Sequence, residues 1–295
     1  MNQIQTVEKI RHFPVLLKEF LNFFKDKQLS IFLDGTLGLA GHATALLEEH
    51  PEIDIFIGLD QDKEALNIAN DNLKKWMSKV RLFHENYVNM DKILDGLDIK
   101  YLDGIFLDLG VSSLQLDKPE RGFSFRFDAP LDMRMDKEAK LTAQHIVNRY
   151  SEKELERIFT EYGEERKARK AAQRIVIQRK KKPIKTTFEL LEVLEPVLGK
   201  RHKIHPATKI FQALRICVNN ELEVLKIGLE NAIKRLSKNG IIAVISFHSL
   251  EDRIVKHTFK DSNYLEVLTK KPIVAQRDER NPRARSAKMR FAKRI

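Results

Sequence analysis

The sequence predicts an α/β protein: a doubly wound, mostly parallel sheet carrying an inserted, mostly helical segment. Three observations carry this expectation. Short β-branched apolar runs alternate with helical patterns through the first hundred residues. That rhythm stops after Gly110 and resumes near Glu221. Two runs near the end, YLEVLT and SAKMRFAKR, have the character of a final antiparallel strand pair.

Taken in order, IFLDGT (Ile31 to Thr36) reads as a buried strand ending in a turn, and Gly41 to His50 as a helix. DIFIGLD (Asp54 to Asp60) is a second strand, followed by a helix over Lys63 to Trp76. KVRLFHEN (Lys79 to Asn86) and DGIFLDLG (Asp103 to Gly110) are the third and fourth strands. Strand and helix alternating at this spacing imply parallel strands joined by right-handed crossovers. Between Val111 and Asn219 no comparable strand occurs, and TTFELLEVLEPVL and HPATKIFQALRICVNNELEVL have helical spacing. A helix from Glu221 to Leu236, a Lys-Asn-Gly stop and the strand GIIAVISF (Gly240 to Phe247) follow. The expected organisation is one sheet domain over 1–112 and 219–295, with a helical substrate-recognition domain over 113–218. No internal repeat is visible.

At 295 residues and 42% hydrophobic, the chain can bury a large core. Its single cysteine, Cys217, excludes an internal disulfide framework and a cysteine-based zinc site. No apolar run of about 18 residues is present, and MNQIQTVEKIRHF lacks the apolar region of a signal peptide. The expectation is a cytoplasmic protein with no membrane partner.

The net charge of +11, from 53 Lys+Arg against 42 Asp+Glu, is unevenly placed. Gly163 to Lys185 holds ten Lys/Arg and two Glu, and Arg277 to Ile295 holds eight against two acidic residues, leaving the remainder slightly acidic. Two basic segments on an acidic body point to nucleic-acid phosphates rather than to merely solvated faces.

The loop after the first strand, DGTLGLAGH (Asp34 to His42), carries glycines at 35, 38 and 41 ahead of a helix N-terminus. Asp60 closes the second strand, where a carboxylate accepts ribose hydroxyls. The unit therefore points to an adenosine-containing cofactor. The dinucleotide spacing G-x-G-x-x-G is absent; the glycines follow G-x-x-G-x-x-G, which favours S-adenosylmethionine over a nicotinamide. Tyr87 and Asp108, at the ends of the third and fourth strands, stand where such enzymes flank the adenine. An isolated Tyr87 is equally an ordinary half-buried aromatic.

DGTLGLAGHA, LDLGVSSLQLDKPERGFSFRFDAPLDMRMD, YGEER, HPATKIFQALRICVNNELE, SFHSLEDRIVK and NPRARSAKMR together resemble the bacterial small-subunit ribosomal RNA cytosine-N4 methyltransferase H family, also called MraW. The blocks run from His12 to about Arg290; the stretch before NPRAR is short, at about twenty residues. The resemblance implies a class I methyltransferase fold. It implies methyl transfer from S-adenosylmethionine to N4 of one cytidine in the decoding region of 16S ribosomal RNA, so that the small-subunit RNA is the partner. Oligomeric state, including a homodimer, is left open. Carried over by motif, the cofactor contacts are Ala40, Gly41, His42, Asp60, Tyr87, Asp108 and Gln115. Ala40 stands where relatives have glycine, and is expected to need a negative φ.

A cytosine N4 lone pair is delocalised into the ring, so fixed acceptors for its amino hydrogens are required. DNA amino-methylating enzymes, by resemblance, use an Asp/Asn/Ser-Pro-Pro-aromatic motif; this chain has DLGVSS, with Asp108, Ser112 and Ser113 as candidate acceptors and no immediate stacking ring. The flipped base also needs a platform. In RGFSFRFD, Arg121 and Arg126 alternate with Phe123, Phe125 and Phe127, which fits either an RNA-facing surface or the buried face of a short strand. His248, in SFHSLEDR, either orients the base or accepts a proton, or else satisfies a local backbone group. His202 and His205 have metal-pair spacing but no acidic or cysteine partner nearby, so no metal is expected and His205 reads as a helix start. Cys217 reads as packed. Two other function classes compete: a non-catalytic RNA-binding assembly factor, and a nicotinamide-dependent oxidoreductase, which the glycine spacing and basic segments oppose.

Overall fold

The computed structural model describes residues 14–199, 205–275 and 282–295. Its eight strands form one sheet: β1 Ile31–Asp34, β2 Ile55–Asp60, β3 Val80–His84, β4 Leu102–Asp108, β5 Leu236–Ser246, β6 Leu265–Val267, β7 Ile273–Val274 and β8 Lys288–Arg294. The order is β3-β2-β1-β4-β5-β8-β6, with β7 also on β8. β1 to β5 pair in parallel, and β8 runs antiparallel to β5, β6 and β7. This is the class I methyltransferase arrangement, with the order reversing between β1 and β4 so that their carboxyl ends open a crevice.

The period-two alternation of the strands sorts side chains onto two faces. Phe32, Phe56, Phe106, Ile245 and Phe291 pack beneath α1 (Leu17–Phe24), α2 (Gly41–Glu49) and α3 (Lys63–Asn72). Leu33, Ile57, Leu107 and Val244 face α4 (Met90–Gly96), α11 (Glu221–Arg235) and α12 (Ser249–Asp261). Helix α1 was not apparent from the strand–helix rhythm because it precedes the first strand, although Phe20 and Phe24 at i, i+4 mark its buried face. Its Phe20 ring lies 4.5 Å from Phe106 and Phe23 stacks on Phe291 at 3.6 Å, closing one side of the sheet.

Between β4 and α11 lie α5 (Ser113–Asp117), α6 (Ala143–Arg149), α7 (Glu152–Glu161), α8 (Ala168–Lys181), α9 (Thr187–Leu198) and α10 (Thr208–Asn219). Their apolar faces form a separate core of residues drawn from Phe123 to Val218. The long helical pattern from His205 onward breaks at Asn220, whose left-handed φ of 49° separates α10 from α11. The Lys-Asn-Gly stop lies inside β5, where the pairing register with β4 shifts and Asn239 has φ 66°. Helix α8 buries Ala168, Ala171, Ala172 and Ile175 and exposes Arg169, Lys170, Arg174, Lys180 and Lys181. Among the described residues no helix is long and apolar enough to cross a membrane.

Candidate active site

Three parallel strands end in carboxylates, Asp34 on β1, Asp60 on β2 and Asp108 on β4; Asp60 and Asp108 line a cavity of about 770 Å³, and Asp34 is buried outside its lining. Asp60 is held by the backbone: Oδ1 accepts from the Asp62 amide and Oδ2 from the Gly38 amide, each at 2.7 Å. Each oxygen keeps an acceptor direction for a ribose hydroxyl. Burial raises the Asp60 carboxyl to about 6 and that of Asp34, only 2% exposed, to about 7.

Asp108 is the least satisfied of the three. Its amide donates to Thr36 Oγ1 at 2.6 Å, but its buried Oδ1 has no hydrogen-bond partner. Burial, with Asp34 and Glu251 nearby, pushes its carboxyl well above the ordinary range. The closest cation-forming group is His42, whose Nδ1 lies 3.9 Å from Asp108 Oδ2. His42 Nε2 lies 3.0 Å from the Val15 carbonyl and so carries the proton. Its ring packs on Phe20 and Phe106, and burial lowers it to about 4, leaving it neutral. Carboxyls without a cationic partner and an orphaned buried acceptor fit a cationic adenosine-type cofactor such as S-adenosylmethionine.

The loop backbone departs from expectation at Ala40. Its φ is +66°, not negative, and it sits as the residue before α2 with its methyl fully buried. The turn is dictated by the flanking strand and helix, and the side chain is short enough to tolerate a left-handed residue. Gly41 and His42 open α2 on the cavity wall, with Gly41 against Pro14.

Tyr87 lines the cavity but is 7% exposed. Its ring is wedged against α11, where a Cβ on Gly228 would come within 2.4 Å of Cε2. Gln115 also lines the cavity, yet both ends of its amide are engaged: Nε2 donates to Asp62 Oδ2 at 3.0 Å and Oε1 accepts from the Ser112 amide at 3.0 Å. Ser112 caps α5, its hydroxyl accepting from the Gln115 amide at 3.2 Å. Ser113 lines the same wall.

His248 is not on the main cavity. It caps α12, with Nδ1 accepting from the Glu251 amide at 3.4 Å, so the local-backbone reading describes its geometry. Glu251, Glu221 and His248 bring ligand-type atoms within 4.8 Å of one another, but a guanidinium already serves this acidic pair: Arg215 forks onto Glu221 at 2.8 and 2.8 Å and lies 4.0 Å from Glu251. His202 lies outside the described residues. His205 precedes α10, its ring 5.1 Å from Phe125.

RGFSFRFD does not form a strand. Arg121 is buried rather than RNA-facing: Nη1 pairs with Asp62 at 2.7 Å and Nη2 donates to the Arg134 and Met135 carbonyls. Phe123 is buried, Phe125 packs on Phe211 at 4.8 Å, and Phe127 is exposed. Cys217 is half-buried against the insertion core, and burial pushes its thiol up.

Sequence reasoning singled out neither Asp34, Arg215 nor Glu251 for the site. Arg215 is the one charged residue of the apolar run from Ile210 to Val218, and that isolation was the available signal.

The MraW methylase family model matches residues 9–295. The ribosomal RNA small subunit methyltransferase H of Persephonella marina is 50% identical over 294 residues, covering 97% of this chain and 100% of that protein. The protein of the same name from Caldicellulosiruptor saccharolyticus is 46% identical over 305 residues, covering 96% and 99%. Among solved structures, an rRNA methylase from Streptococcus thermophilus aligns over 94% of this chain and 93% of its own at 11% identity, with a TM-score of 0.44. By a family match that spans nearly its whole length, and by relatives at half identity, this chain belongs to the MraW methylase family.

Proposed function

We propose that this protein is an S-adenosylmethionine-dependent methyltransferase acting on the exocyclic N4 of one cytidine in the decoding region of 16S ribosomal RNA. The observation that carries the reading is the cavity lined by the strand-end carboxyls Asp60 and Asp108 in a chain of this family. Bound there, the cofactor supplies an electrophilic methyl carbon on a sulfonium. Asp60 takes the ribose hydroxyls through the acceptor directions its backbone bonds leave free. Ala40, Gly41 and His42 present the α2 N-terminus, Tyr87 closes the adenine side from below, and Gln115 braces that wall through Asp62 and Ser112.

Asp108, with its orphaned Oδ1, accepts an amino hydrogen from the cytosine N4, turning the nitrogen lone pair out of conjugation and toward the methyl group. Ser112 and Ser113 line the same wall and offer further polar contacts. His248 acts one step away, by setting the start of α12. The helical unit over 113–218 recognises the RNA, its α8 cations meeting phosphates. The substrate is the RNA of an assembled or nearly assembled small subunit, and the site of action is the cytoplasm. Mass spectrometry of small-subunit RNA from a strain lacking the gene tests the reading: one cytidine loses its N4 methyl group, and an unchanged methylation pattern overturns it.

A further inference from the structure

A base turned out of its helix needs a stacking surface, and the loop after β4 supplies none: at Gly110 φ is +90° and no side chain is present. The neighbouring strand fills that gap. β4 and β5 are paired with Asp108 opposite Ile245, so the residues following both strands emerge side by side. A Cβ on Gly110 would stand 3.6 Å from Cδ2 of Phe247, the residue after β5. The Phe247 ring therefore lies over the glycine turn that follows Asp108.

Phe247 is also held firmly. Its amide donates to Glu251 Oε2 at 2.8 Å, the His248 amide donates to the same oxygen at 3.2 Å, and Glu251 is 2% exposed. The ring lines the main cavity and, together with Ser286, a second cavity of about 250 Å³. The remaining wall of that second cavity includes Ser249, Arg285 and Lys288. Lys288 is engaged by Asp252 at 3.1 Å, whereas Arg285 is exposed and makes no ion pair with a described residue. Phe247 and Ser286 are thus shared by the two cavities, so the ring joins the main cavity, where Asp108 lies, to the second, which carries Ser249 and the exposed Arg285 guanidinium.

We propose that this second cavity receives the target nucleotide, with the pyrimidine stacked on Phe247 and its phosphate on Arg285. The proposal rests on the RNA methyltransferase reading and assigns the substrate side of that site. Stacking on an aromatic ring is sequence-tolerant, so Phe247 supplies position while Asp108 meets the amino group. Arg285 anchors the backbone on the solvent side.

The test separates binding from turnover. In a Trp76→Phe background, Phe247→Trp places the only indole at the cavity wall. A short single-stranded RNA containing one cytidine is expected to quench its fluorescence saturably, with affinity reduced when Arg285→Glu is added. Phe247→Leu is expected to lower kcat/KM for small-subunit RNA by about 5- to 150-fold, the range for loss of one stacked base. Its S-adenosylmethionine affinity by calorimetry should stay within about two-fold, and Phe247→Tyr should restore turnover. Absence of quenching, or unchanged kcat/KM in Phe247→Leu, overturns the proposal. So does a parallel loss of cofactor affinity, which would place the ring in the cofactor site. If the unsubstituted enzyme methylates no small-subunit cytidine, the parent reading fails instead, whatever the quenching shows.

Discussion

Ala40 shows how one residue carries a conflict between backbone and side chain. A left-handed L-residue costs about 1–2 kcal/mol, yet the Ala40 methyl is fully buried against the α1–α3 core. Ala40→Gly removes the strain and the packed methyl together, so its unfolding free energy in urea is expected to stay within about 1 kcal/mol of the parent. Ala40→Val adds a β-branched side chain at positive φ and is expected to destabilise by about 2 kcal/mol or more. Asp34 and Asp60 lead to a pH prediction. Their carboxyls are raised to about 7 and about 6, so the folded cofactor-free protein holds protons that the unfolded chain has released above about 4. Their contribution to stability is full below that point and disappears as pH rises through 6 to 7. Urea midpoints should therefore fall between pH 5.5 and 8, and Asp34→Asn should flatten the slope. Affinity for a cationic cofactor should run the other way, rising with pH across the same window in calorimetric titrations.

At the scale of elements, the strand ends were legible and the long-range pairings were not. Asp60 and Asp108 could be assigned because a buried parallel strand is a continuous apolar run, so its terminal carboxylate stands out in sequence. The burial of Arg121 was not legible, for the opposite reason. An arginine among alternating phenylalanines looks exposed, and nothing local announces Asp62, 59 positions earlier. The same holds for Tyr87, whose confinement is set by Gly228 on a helix far along the chain. The Arg121–Asp62 pair ties the start of α3 to the first part of the inserted unit. Arg121→Met leaves Asp62 buried without its cation and is expected to cost about 3–5 kcal/mol by urea denaturation. A cost below about 1 kcal/mol would mean that Gln115 and water satisfy Asp62 alone.

For the molecule as a whole, charge is divided between functions. The cofactor cavity is lined by carboxyls, while α8 exposes five cations along one face. RNA affinity is accordingly expected to fall steeply between 50 and 200 mM salt, with a logarithmic slope of about −0.7 per phosphate contacted on single strands. Each of Lys170→Ala and Arg174→Ala should reduce that slope by up to about 1 in fluorescence-anisotropy titrations. Cofactor affinity should change little over the same range. The two basic segments were readable from composition; which of their side chains are spent inside the protein was not. Arg179 donates to the Val147 carbonyl and Arg290 pairs with Asp252, so both are engaged inside the fold.

The position of β8 bears on how the molecule is made. Residues 288–294 form an interior strand, inserted between β5 and β6. Until those residues leave the ribosome, β5 presents an unpaired apolar edge, the kind that recruits foreign strands. Closure of the sheet therefore waits on residues 288–294, and a chain stalled before they pair is expected to aggregate through the open β5 edge.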